Sequence, residues 1–530
     1  MTQPATIQKT DEDKNYVPVS TSVDSADSHT SLVRTLTEIP QESSLSCAIA
    51  RHIGVEKASF HTPGHKGRRL AGRGSVSQAE FEKRDLTELP GLDDLSRPAS
   101  TLLSIERRAA RLWRSHECLI SVNGASAALI AAILCLSGRG NKILIPRNAH
   151  RSAVSALTLS GLEPIWYEPV WDSKWGTYGS VSPHLVEQLL EEHAADPNNH
   201  DVAMLLLTSP TYGGAISDIE SIARHCRRHN LPLIVDEAHG AHLGAVNDGS
   251  INCSPSGSTN TAMPASAISL GATMVVHSLH KTLSAFTQCG VLHICTQSIS
   301  REEVRRALNL VQTSSPSYPL LASIEDAIEL LELEGEERLG ALHDLRMRAE
   351  AEISAMGFSV FNSRFRTDPL HLLVRSNQSS APELFEFLAD RGVFPEAILG
   401  DAVLLLMGIG TTEEDIRELI AVLGEFKLVL ERRAPLPEKD APSWKRIETD
   451  AAVQVFTPRR AFFMPSEVVA ARESIGRVAA ECIAPCPPGI PICVPGQRIT
   501  DEILNLTDIK FLRVLCEPST KDTSDGSTYE

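Results

Sequence analysis

The chain reads Leu231-Pro-Leu-Ile-Val-Asp236-Glu-Ala-His239-Gly-Ala-His-Leu-Gly244 and, further on, Met274-Val-Val-His-Ser278-Leu-His280-Lys281-Thr-Leu283. Each stretch is a short apolar run that gives way to charged and imidazole side chains. This pattern predicts two buried strands of a parallel sheet, each with polar residues at its carboxyl end. Open α/β sheets bind their ligands at that end of the strands. The two stretches therefore predict an α/β fold with a polar site.

An acid and a lysine follow these two strands. Asp236 ends the first strand, and Lys281 lies just beyond the second. A lysine can form a Schiff base with pyridoxal phosphate, and a carboxylate can keep the pyridine nitrogen of that cofactor protonated. Two plainer interpretations stay open at this point, because a lone Asp at a strand end is often a helix cap and Ser-x-His-Lys also occurs by chance.

Length and composition indicate a globular protein. The 530 residues leave room for two or three domains and a large core. Hydrophobic residues make up 42% and charged residues 22%, which excludes a chain disordered throughout. The net charge of −17 disfavours a non-specific nucleic-acid partner. No apolar run reaches membrane-spanning length and the amino terminus lacks the core of a secretory signal, so no membrane partner is expected.

Eleven cysteines are spread over the chain without a C-x-x-C pair. The nearest cluster, Cys482, Cys486 and Cys493, matches no common zinc spacing, so free thiols are expected there rather than a metal site. This cysteine usage is typical of a reducing compartment and predicts a cytoplasmic protein.

Polar segments lie at both ends of the chain, and a polar loop follows the first of them. Residues 1–45 and 516–530 are predicted to be disordered tails. Phe60-His61-Thr-Pro-Gly-His65-Lys66-Gly67 contains one proline and two glycines, which indicates a rigid turn with a basic edge. By itself this sequence is a loop without an assigned role.

An almost wholly apolar helix is predicted over Ala127–Leu136. A helix that is apolar all round is buried, so its amino end carries a partial positive charge into the interior. A phosphate held by Gly124, Ala125 and Ser126 would balance that charge. A plain N-cap by Ser126 or Asn123 is an equally open interpretation.

Further apolar runs alternate with segments long enough to form helices. Lys142–Pro146 leads into His150, which can lie flat against a planar cofactor ring, although a lone histidine there is usually structural. Thr208-Ser-Pro-Thr-Tyr-Gly-Gly214 is predicted to present hydroxyl groups. The other predicted elements are strands Leu119–Val122, Pro164–Tyr167 and Ala203–Thr208 and an amphipathic helix Thr101–Arg114 with Leu103, Ala110 and Trp113 on its apolar face. This alternation predicts a mainly parallel sheet covered on both faces.

A long helical segment, Leu320–Met356, connects this sheet to a second unit. That unit is predicted to contain strands Leu370–Val374 and Val403–Met407, a helix over Ala381–Asp390, and a helix reaching Phe426 from a capping box of Thr411 and Glu414. The pattern indicates a smaller α+β domain. We therefore assign residues 46–345 to an amino-terminal arm and major domain, and residues 346–515 to a carboxy-terminal domain.

Seven motifs follow one another between about residues 48 and 507: His61-Thr-Pro-Gly-His-Lys66, Thr87-Glu-Leu-Pro-Gly-Leu-Asp-Asp94, Thr208-Ser-Pro-Thr-Tyr-Gly213, Asp236-Glu-Ala-His-Gly-Ala-His242, Ser278-Leu-His-Lys-Thr282, Thr313-Ser-Ser-Pro-Ser-Tyr318 and Pro487-Pro-Gly-Ile-Pro491. In this order they resemble the pyridoxal-phosphate-dependent ornithine/lysine/arginine decarboxylases of the bacterial, aspartate-aminotransferase-like type. The resemblance implies a large domain of that fold with a mainly parallel sheet and a smaller α+β carboxy-terminal domain. It also implies the short biosynthetic form, without an amino-terminal wing domain.

The resemblance implies a role for each matching residue. Lys281 would carry the cofactor as a Schiff base, Asp236 would pair with the pyridine nitrogen, and His150 and Ala238 would contact the two faces of the ring. The remaining cofactor-binding residues would be Gly124, Ala125, Ser126, His239, Ser278 and His280. The implied catalytic residues are Lys281, Asp236, His150 and His280. The residues implied on the substrate or partner side are His61, His65, Lys66, Ser315 and Tyr318.

The implied reaction is the decarboxylation of arginine, lysine or ornithine to agmatine, cadaverine or putrescine plus CO₂, a step of polyamine biosynthesis. Lys281 or His280 would return a proton to Cα. Two alternatives are weighed against it. An aminotransferase or β-lyase would share Lys281 and Asp236 but not the His61-to-Lys66 loop. A non-catalytic regulatory relative would be expected to lack Lys281.

Two residues depart from the family pattern. The family often has Tyr where Cys486 stands and Glu where Gln497 stands, in a segment thought to shape the substrate entrance, so the identity of the basic amino acid stays open. In this family the active site lies at a two-fold interface. The resemblance therefore implies a homodimer or a higher homo-oligomer, in which the His61-to-Lys66 loop and Ser314–Tyr318 border the partner's cofactor.

Overall fold

The computed structural model describes residues 44–55, 63, 79–195, 201–245, 263–433, 453–485 and 489–516. His61, His65, Lys66 and Cys486 lie outside the described residues, as do residues 1–43 and 517–530 of the two predicted tails. The prediction of a tail up to residue 45 is wrong at its end, because Leu45 is the fully buried first residue of a helix.

The first unit contains strands β1 (Glu117–Ser121), β2 (Lys142–Pro146), β3 (Glu163–Tyr167), β4 (Trp171–Asp172), β5 (Thr177–Tyr178), β6 (Val202–Thr208), β7 (Ala215–Ile216), β8 (Leu233–Asp236), β9 (Met274–Ser278) and β10 (Gly290–Ile294). Its helices are α1 (Leu45–Val55), α2 (Ala79–Arg84), α3 (Thr101–Trp113), α4 (Gly124–Leu136), α5 (Arg151–Ser160), α6 (Pro183–Ala195), α7 (Ile219–Arg228), α8 (Leu279–Thr282), α9 (Arg301–Asn309) and α10 (Tyr318–Ala355). A single 3₁₀ turn, Ser137–Arg139, follows α4.

Seven of these strands form one sheet in the order β1-β10-β9-β8-β6-β2-β3. Parallel pairing joins β9, β8, β6, β2 and β3, which confirms the predicted mainly parallel sheet. Strand β10 is antiparallel to both of its neighbours, β1 and β9. It follows β9 after only the one-turn helix α8 and residues 283–289, a connection too short to carry a crossover between parallel strands.

Both faces of the sheet are covered, because successive residues of a strand point to opposite faces. On β8, Leu233 and Val235 join one core and Ile234 joins the other. Helices α4, α5 and α9 contribute to the Ile234 core, and α3 and α10 contribute to the other. Each large aliphatic side chain buried in this way contributes about 1.5–3 kcal/mol. The predicted burial of the apolar helix α4 is confirmed.

Two local predictions are wrong by one residue. Helix α3 buries Leu102 rather than Leu103, which is only half-buried, because its stripe runs through Leu102, Ile105 and Ala109. The capping box of the later helix is formed by Thr412 and Asp415: the Asp415 N–H donates to Thr412 Oγ1 over 3.2 Å, and the Thr412 N–H donates to Asp415 Oδ2 over 2.7 Å.

The second unit contains β11 (Ser359–Val360), β12 (Arg366–Thr367), β13 (His371–Arg375), β14 (Ala397–Leu399), β15 (Ala402–Leu406), α11 (Ala381–Ala389) and α12 (Glu413–Glu431). Four of its strands form an antiparallel sheet in the order β11-β13-β15-β14. Strand β12 pairs instead with β7 of the first unit and ties the two units together. The predicted boundary between residues 345 and 346 falls inside α10, which runs unbroken to Ala355.

The carboxy-terminal segment adds α13 (Pro458–Phe463), β16 (Ser466–Ala470), a 3₁₀ turn at Ala471–Ser474, α14 (Asp501–Leu504) and β17 (Phe511–Leu515). Strands β16 and β17 pair antiparallel. Among the helices that the structure describes, none combines the length and the apolar character needed to span a bilayer.

Candidate active site

A cavity of about 310 Å³ lies at the carboxyl ends of β2, β6, β8 and β9. Its wall contains every residue that the sequence predicts to bind the cofactor: Gly124, Ala125, Ser126, His150, Asp236, Ala238, His239, Ser278, His280 and Lys281. These residues come from four separate stretches of the chain. The fold therefore brings the predicted set together at the expected edge of the sheet.

Lys281 is the central base of this cavity. It stands in α8, the single helical turn that begins directly after β9, and its Nζ lies 2.8 Å from Nε2 of His239. Burial lowers the pKa of Lys281 below its ordinary value, and the carboxylates of Asp236 and Glu396 oppose that shift. The amine can therefore exchange its proton more readily than a lysine in water.

Asp236 is the central acid. It ends β8 beside β9, is 6% exposed, and its Oδ1 accepts a hydrogen bond of 3.2 Å from the Ala238 N–H. The predicted alternative of a plain helix cap does not describe it, because no helix begins at this strand end among the described residues. The carboxylate faces the cavity and acts on both Lys281 and His150.

His150 is held at the start of α5. Its Nδ1 accepts a hydrogen bond of 3.2 Å from the Ser152 N–H and lies 2.8 Å from Ser152 Oγ. Burial lowers the pKa of His150, with Asp236 opposing, so the ring is neutral near pH 7. Gly489 lies so close that an added Cβ atom would stand 3.2 Å from the imidazole. The carboxy-terminal loop of the chain thus closes over this histidine.

The amino end of α4 lies open toward the cavity. Gly124 adopts a φ of +77° and donates its N–H to the Gln288 carbonyl over 2.8 Å. The alternative of a plain N-cap is wrong: Asn123 makes no capping bond and instead accepts from the Thr313 N–H, and Ser126 lies inside the helix. The first turn of a buried helix therefore faces the cavity without a side-chain cap.

Ser278 and His280 form the remaining predicted pair. Ser278 Oγ and His280 Nδ1 are 3.2 Å apart, at the start of α8. Burial lowers the pKa of His280 below its usual value. The neutral imidazole is thus fixed beside Lys281, where it can hydrogen bond to a bound group.

Ser315 and Tyr318, two of the residues predicted on the substrate or partner side, differ in their exposure. Ser315 is exposed, as a surface position requires. The prediction is wrong for Tyr318, whose side chain is fully buried in the core and donates its hydroxyl to the Asp93 carbonyl over 2.7 Å. A side chain without exposed surface offers no face to a substrate or a partner.

Of the two departures from the family pattern, Cys486 lies outside the described residues and Gln497 lies beside the cavity. Gln497 is 1% exposed and lines a smaller space of about 180 Å³, which shares Ile490 with the main cavity. Its Oε1 accepts from the Val494 N–H over 3.0 Å. Cys482 and Cys493 are free thiols, as predicted, and burial raises their pKa values to about 11 and about 12. Within the described residues, no group of three His, Cys, Asp or Glu side chains could hold a metal ion.

Several wall residues were not predicted as site residues. Asn148 and Thr208 carry buried oxygen atoms that have no hydrogen-bond partner among the described residues, and Tyr212, Thr287 and Gln288 also line the wall. Thr208 and Tyr212 lie in the turn that was expected to present hydroxyl groups, and Asn148 lies in the stretch that leads to His150. No sequence signal indicated His371, which contacts His239 from the second unit.

The sheet order and the lysine-bearing cavity define the aspartate-aminotransferase-like fold class. Lysine decarboxylase from Francisella novicida superposes with a TM-score of 0.71 at 19% identity, covering 89% of this chain and 81% of that one. Lysine decarboxylase A from Pseudomonas aeruginosa gives a TM-score of 0.71 at 21% identity, covering 88% of this chain and 75% of that one. The predicted fold class is confirmed.

The family follows from the sequence. The Orn/Lys/Arg decarboxylase major domain matches residues 44–363, and the C-terminal domain of the same family matches residues 447–521. The chain therefore belongs to the Orn/Lys/Arg decarboxylase family, which confirms the predicted resemblance and the predicted class of carboxy-lyase.

Individual relatives are similar over most of the chain. The Bacillus subtilis protein YaaO is 31% identical over 474 residues, covering 86% of this chain and 91% of that protein. Arginine decarboxylase of Bacillus subtilis is 29% identical over 483 residues, covering 87% and 92%. Constitutive lysine decarboxylase of Escherichia coli is 23% identical over 562 residues, covering 88% and 77%.

Proposed function

We propose that this chain decarboxylates a basic L-amino acid with pyridoxal phosphate as cofactor, releasing CO₂ and an amine of the polyamine pathway. One observation carries the proposal: Lys281 and Asp236 follow neighbouring parallel strands and face one cavity. Membership of the family supports the reaction type. The names of two similar proteins, arginine decarboxylase and lysine decarboxylase, support a basic substrate.

The cavity fits this cofactor. The oxygen atoms of Asn148 and Thr208 need partners that a polar ligand would supply. The uncapped first turn of α4, at Gly124 to Ser126, suits a phosphate group. The volume of about 310 Å³ falls at the lower end of the range for small-molecule pockets, about 300–1,000 Å³. Lys281 and Asp236 supply the required amine and carboxylate.

Asp236, His150 and Lys281 have separate roles in the proposed reaction. When bound, pyridoxal phosphate supplies an electron sink for the negative charge that develops at Cα as CO₂ leaves. Asp236 would stabilise the positive charge on the protonated pyridine nitrogen. A contact ion pair contributes about 4 kcal/mol at an effective dielectric near 20, against about 1 kcal/mol in water. His150 offers a neutral ring for stacking. Lys281, with its lowered pKa, holds the proton that Cα takes up.

A carboxylate near the cavity suits the far end of a basic substrate. Tyr212 lines the cavity and donates its hydroxyl to Glu396 Oε1 over 2.9 Å. Glu396 is also close enough to act on the charge of Lys281. Carboxylates form the strongest hydrogen bonds with guanidinium and ammonium groups. We therefore assign Glu396 as the residue that attracts the distal cation.

The substrate is tested by measuring CO₂ release from L-arginine, L-lysine and L-ornithine, with the amine products identified. We expect arginine or lysine to exceed ornithine in kcat/KM by at least about tenfold, the scale on which enzymes discriminate chain length. A neutral amino acid serves as the control. A much higher kcat/KM for ornithine, or for the neutral amino acid, would overturn this assignment.

We assign the protein to the cytoplasm. The nine cysteines that the structure describes are all free thiols, which supports a reducing compartment.

We assign a homodimer as the smallest assembly. Phe286 is 52% exposed and directly precedes Thr287 of the cavity wall. Apolar side chains at the rim of a catalytic cavity favour a protein surface that covers them. A partner at this rim would bring a second chain to each site.

Shared sites are tested by mixing two inactive variants, His65→Ala and Lys281→Ala. In a mixed dimer with shared sites, one site carries both substitutions and the other carries neither. Random exchange between equal amounts of the two variants should therefore restore about a quarter of the wild-type activity, because half of the dimers are mixed and each has one intact site of two. Mixtures that exchange subunits and stay inactive would show that each chain builds its own site.

A further inference from the structure

A chain of imidazoles runs from Lys281 to a buried carboxylate in the second unit. Nε2 of His239 lies 2.8 Å from Lys281 Nζ, and Nδ1 of His239 lies 3.2 Å from Nε2 of His371. On the far side, Nδ1 of His371 lies 3.4 Å from Oδ2 of Asp368, an ion-pair distance. Neither of these last two atoms has a hydrogen-bond partner in the described chain. Lys281, His239, His371 and Asp368 therefore form a linear series, in which each group contacts the next.

The tautomers along this path are fixed by its two ends. An ammonium on Lys281 can only donate, so Nε2 of His239 accepts and its Nδ1 carries the hydrogen. That hydrogen points to Nε2 of His371, which leaves the His371 hydrogen on Nδ1, toward Asp368. Each hydrogen therefore points to the next group, as far as the ion-pair contact between His371 and Asp368.

The protein holds this path rigidly in its interior. Asp368 is 0% and His371 is 1% exposed. The Leu370 N–H donates to Asp368 Oδ1 over 2.8 Å, and the Asp368 N–H donates to the Gly214 carbonyl over 2.7 Å. Gly214, at a φ of +88°, lies so close that an added Cβ atom would stand 2.5 Å from Cβ of His371. Any other residue at this glycine would displace the imidazole.

The carboxyl group at the end of the path favours its charged form. Burial acts to raise the pKa of Asp368, but the charges of His242 and His371 and the hydrogen bond with His242 outweigh it, so the pKa lies below its ordinary value. Burial also lowers the pKa of His239, and the neighbouring Lys281 lowers it further. The carboxylate therefore stabilises positive charge at its own end of the path, on the side away from Lys281.

We propose that His239, His371 and Asp368 form a proton path that takes up and returns the proton of Lys281, an inference that rests on the proposed function. The Nζ–H bond breaks as a bond to Nε2 of His239 forms. The Nδ1–H bond of His239 breaks as a bond to Nε2 of His371 forms. The positive charge moves from the ammonium to the His371 imidazolium, next to Asp368, and no other reactant is needed. His371 and Asp368 are positioning residues, since neither lines the cavity.

Other titratable groups also face this path. They are Asp236 from β8, His150 at the start of α5, Tyr212 and Glu396 near the cavity, and His242 on the second oxygen of Asp368. His242 offers the matched control. It is 0% exposed and lies 3.1 Å from Asp368 Oδ1, but it does not connect to Lys281.

The test compares His371→Leu with His242→Leu in the cofactor-loaded enzyme. Two readouts are used, the pH dependence of kcat and the pH midpoint of the visible absorbance of the bound cofactor without substrate. We expect His371→Leu to lower kcat by about 10- to 100-fold with KM little changed, within the range of proton-transfer effects. The absorbance midpoint and the basic limb of the profile should both move to lower pH by about one unit, because the protonated forms lose their stabilisation.

His242→Leu should lose stability in thermal unfolding to a similar extent and keep the wild-type midpoint. Asp368→Asn, which keeps the acceptor oxygen and removes the charge, should move the midpoint in the same direction and serves if His371→Leu does not fold. Unmoved midpoints in both His371→Leu and Asp368→Asn would overturn the proton path. If the wild type releases no CO₂ from any basic amino acid but these midpoints still move, the decarboxylase function fails and the path stands.

Discussion

Replacing Asp236 by Asn is expected to leave the cofactor bound and to lower kcat by about 10³-fold. The estimate follows from the contact ion pair, which contributes about 4 kcal/mol at an effective dielectric near 20, where each 1.4 kcal/mol corresponds to a factor of ten. An amide cannot hold the positive charge of the pyridine nitrogen. The contacts at the amino end of α4 and at Lys281 remain, so binding persists while the electron sink fails.

Glu237→Gln is the matched control for this variant. Glu237 is the next residue along the chain, but its carboxyl points away from the cavity, where it accepts from the Ala267 N–H and lies 2.8 Å from Nε2 of His277. Burial raises the pKa of Glu237 to about 8, so an amide resembles the protonated side chain at neutral pH. We expect this variant to keep turnover within about threefold of the wild type, because a neutral amide replaces a neutral carboxyl group of the same shape. Near-normal turnover in a folded, cofactor-loaded Asp236→Asn enzyme would count against the role of Asp236.

Replacing Lys281 by Ala is expected to lower kcat by at least about 10⁴-fold, beyond the contribution of general acid–base catalysis alone, which is about 10²–10⁴-fold. The change removes both the covalent attachment of the cofactor and the group that protonates Cα. It also leaves the His239 end of the proton path without a donor. Steady-state CO₂ release and absorbance of the purified variant measure the two losses separately.

Lys510→Ala serves as the control, because Lys510 is an exposed lysine just before β17, outside the cavity. It should retain both colour and turnover. A Lys281→Ala enzyme that kept more than about a tenth of wild-type turnover would contradict a covalent role, since removing a nucleophile costs far more than that.

The main sheet and the cofactor residues could be predicted because their signals are local. A short apolar run predicts a buried strand, and the polar residues that follow it mark the end of that strand. The runs that end in Asp236 and lead to Lys281 both have this pattern. Parallel strands bring their carboxyl ends to the same edge, so residues that follow separate strands meet without further information. This is why the ten predicted cofactor residues all line one cavity.

The proton path could not be predicted, because it depends on a contact between distant segments. Asp368 and His371 approach His239 through the pairing of β12 with β7, and the short sequences of these two strands carry no period that would reveal the pairing. Leu370-His371-Leu372 has the pattern of an ordinary buried strand. The imidazole on that strand acquires its role from its contacts with His239 and Asp368, beside the glycine that it packs against.

The prediction for Tyr318 was wrong for a different reason. Its motif places it correctly in the family pattern, but a motif does not say which way a side chain points. The phenol lies at the first residue of α10 and turns inward to Asp93, so the exposed Ser315 is the residue that stays at the surface. The direction of a side chain at a helix start depends on tertiary packing rather than on local sequence.

Borohydride reduction of the purified, cofactor-loaded protein, followed by peptide mapping, tests the central claim most directly. The protein should be yellow, and reduction should bleach it and fix the cofactor to the peptide that contains Lys281, because this is the buried amine that faces Asp236 across the cavity. The Asp236→Asn variant should carry the label on the same lysine. A label on any other lysine, or no label on a folded protein supplied with pyridoxal phosphate, would contradict the account.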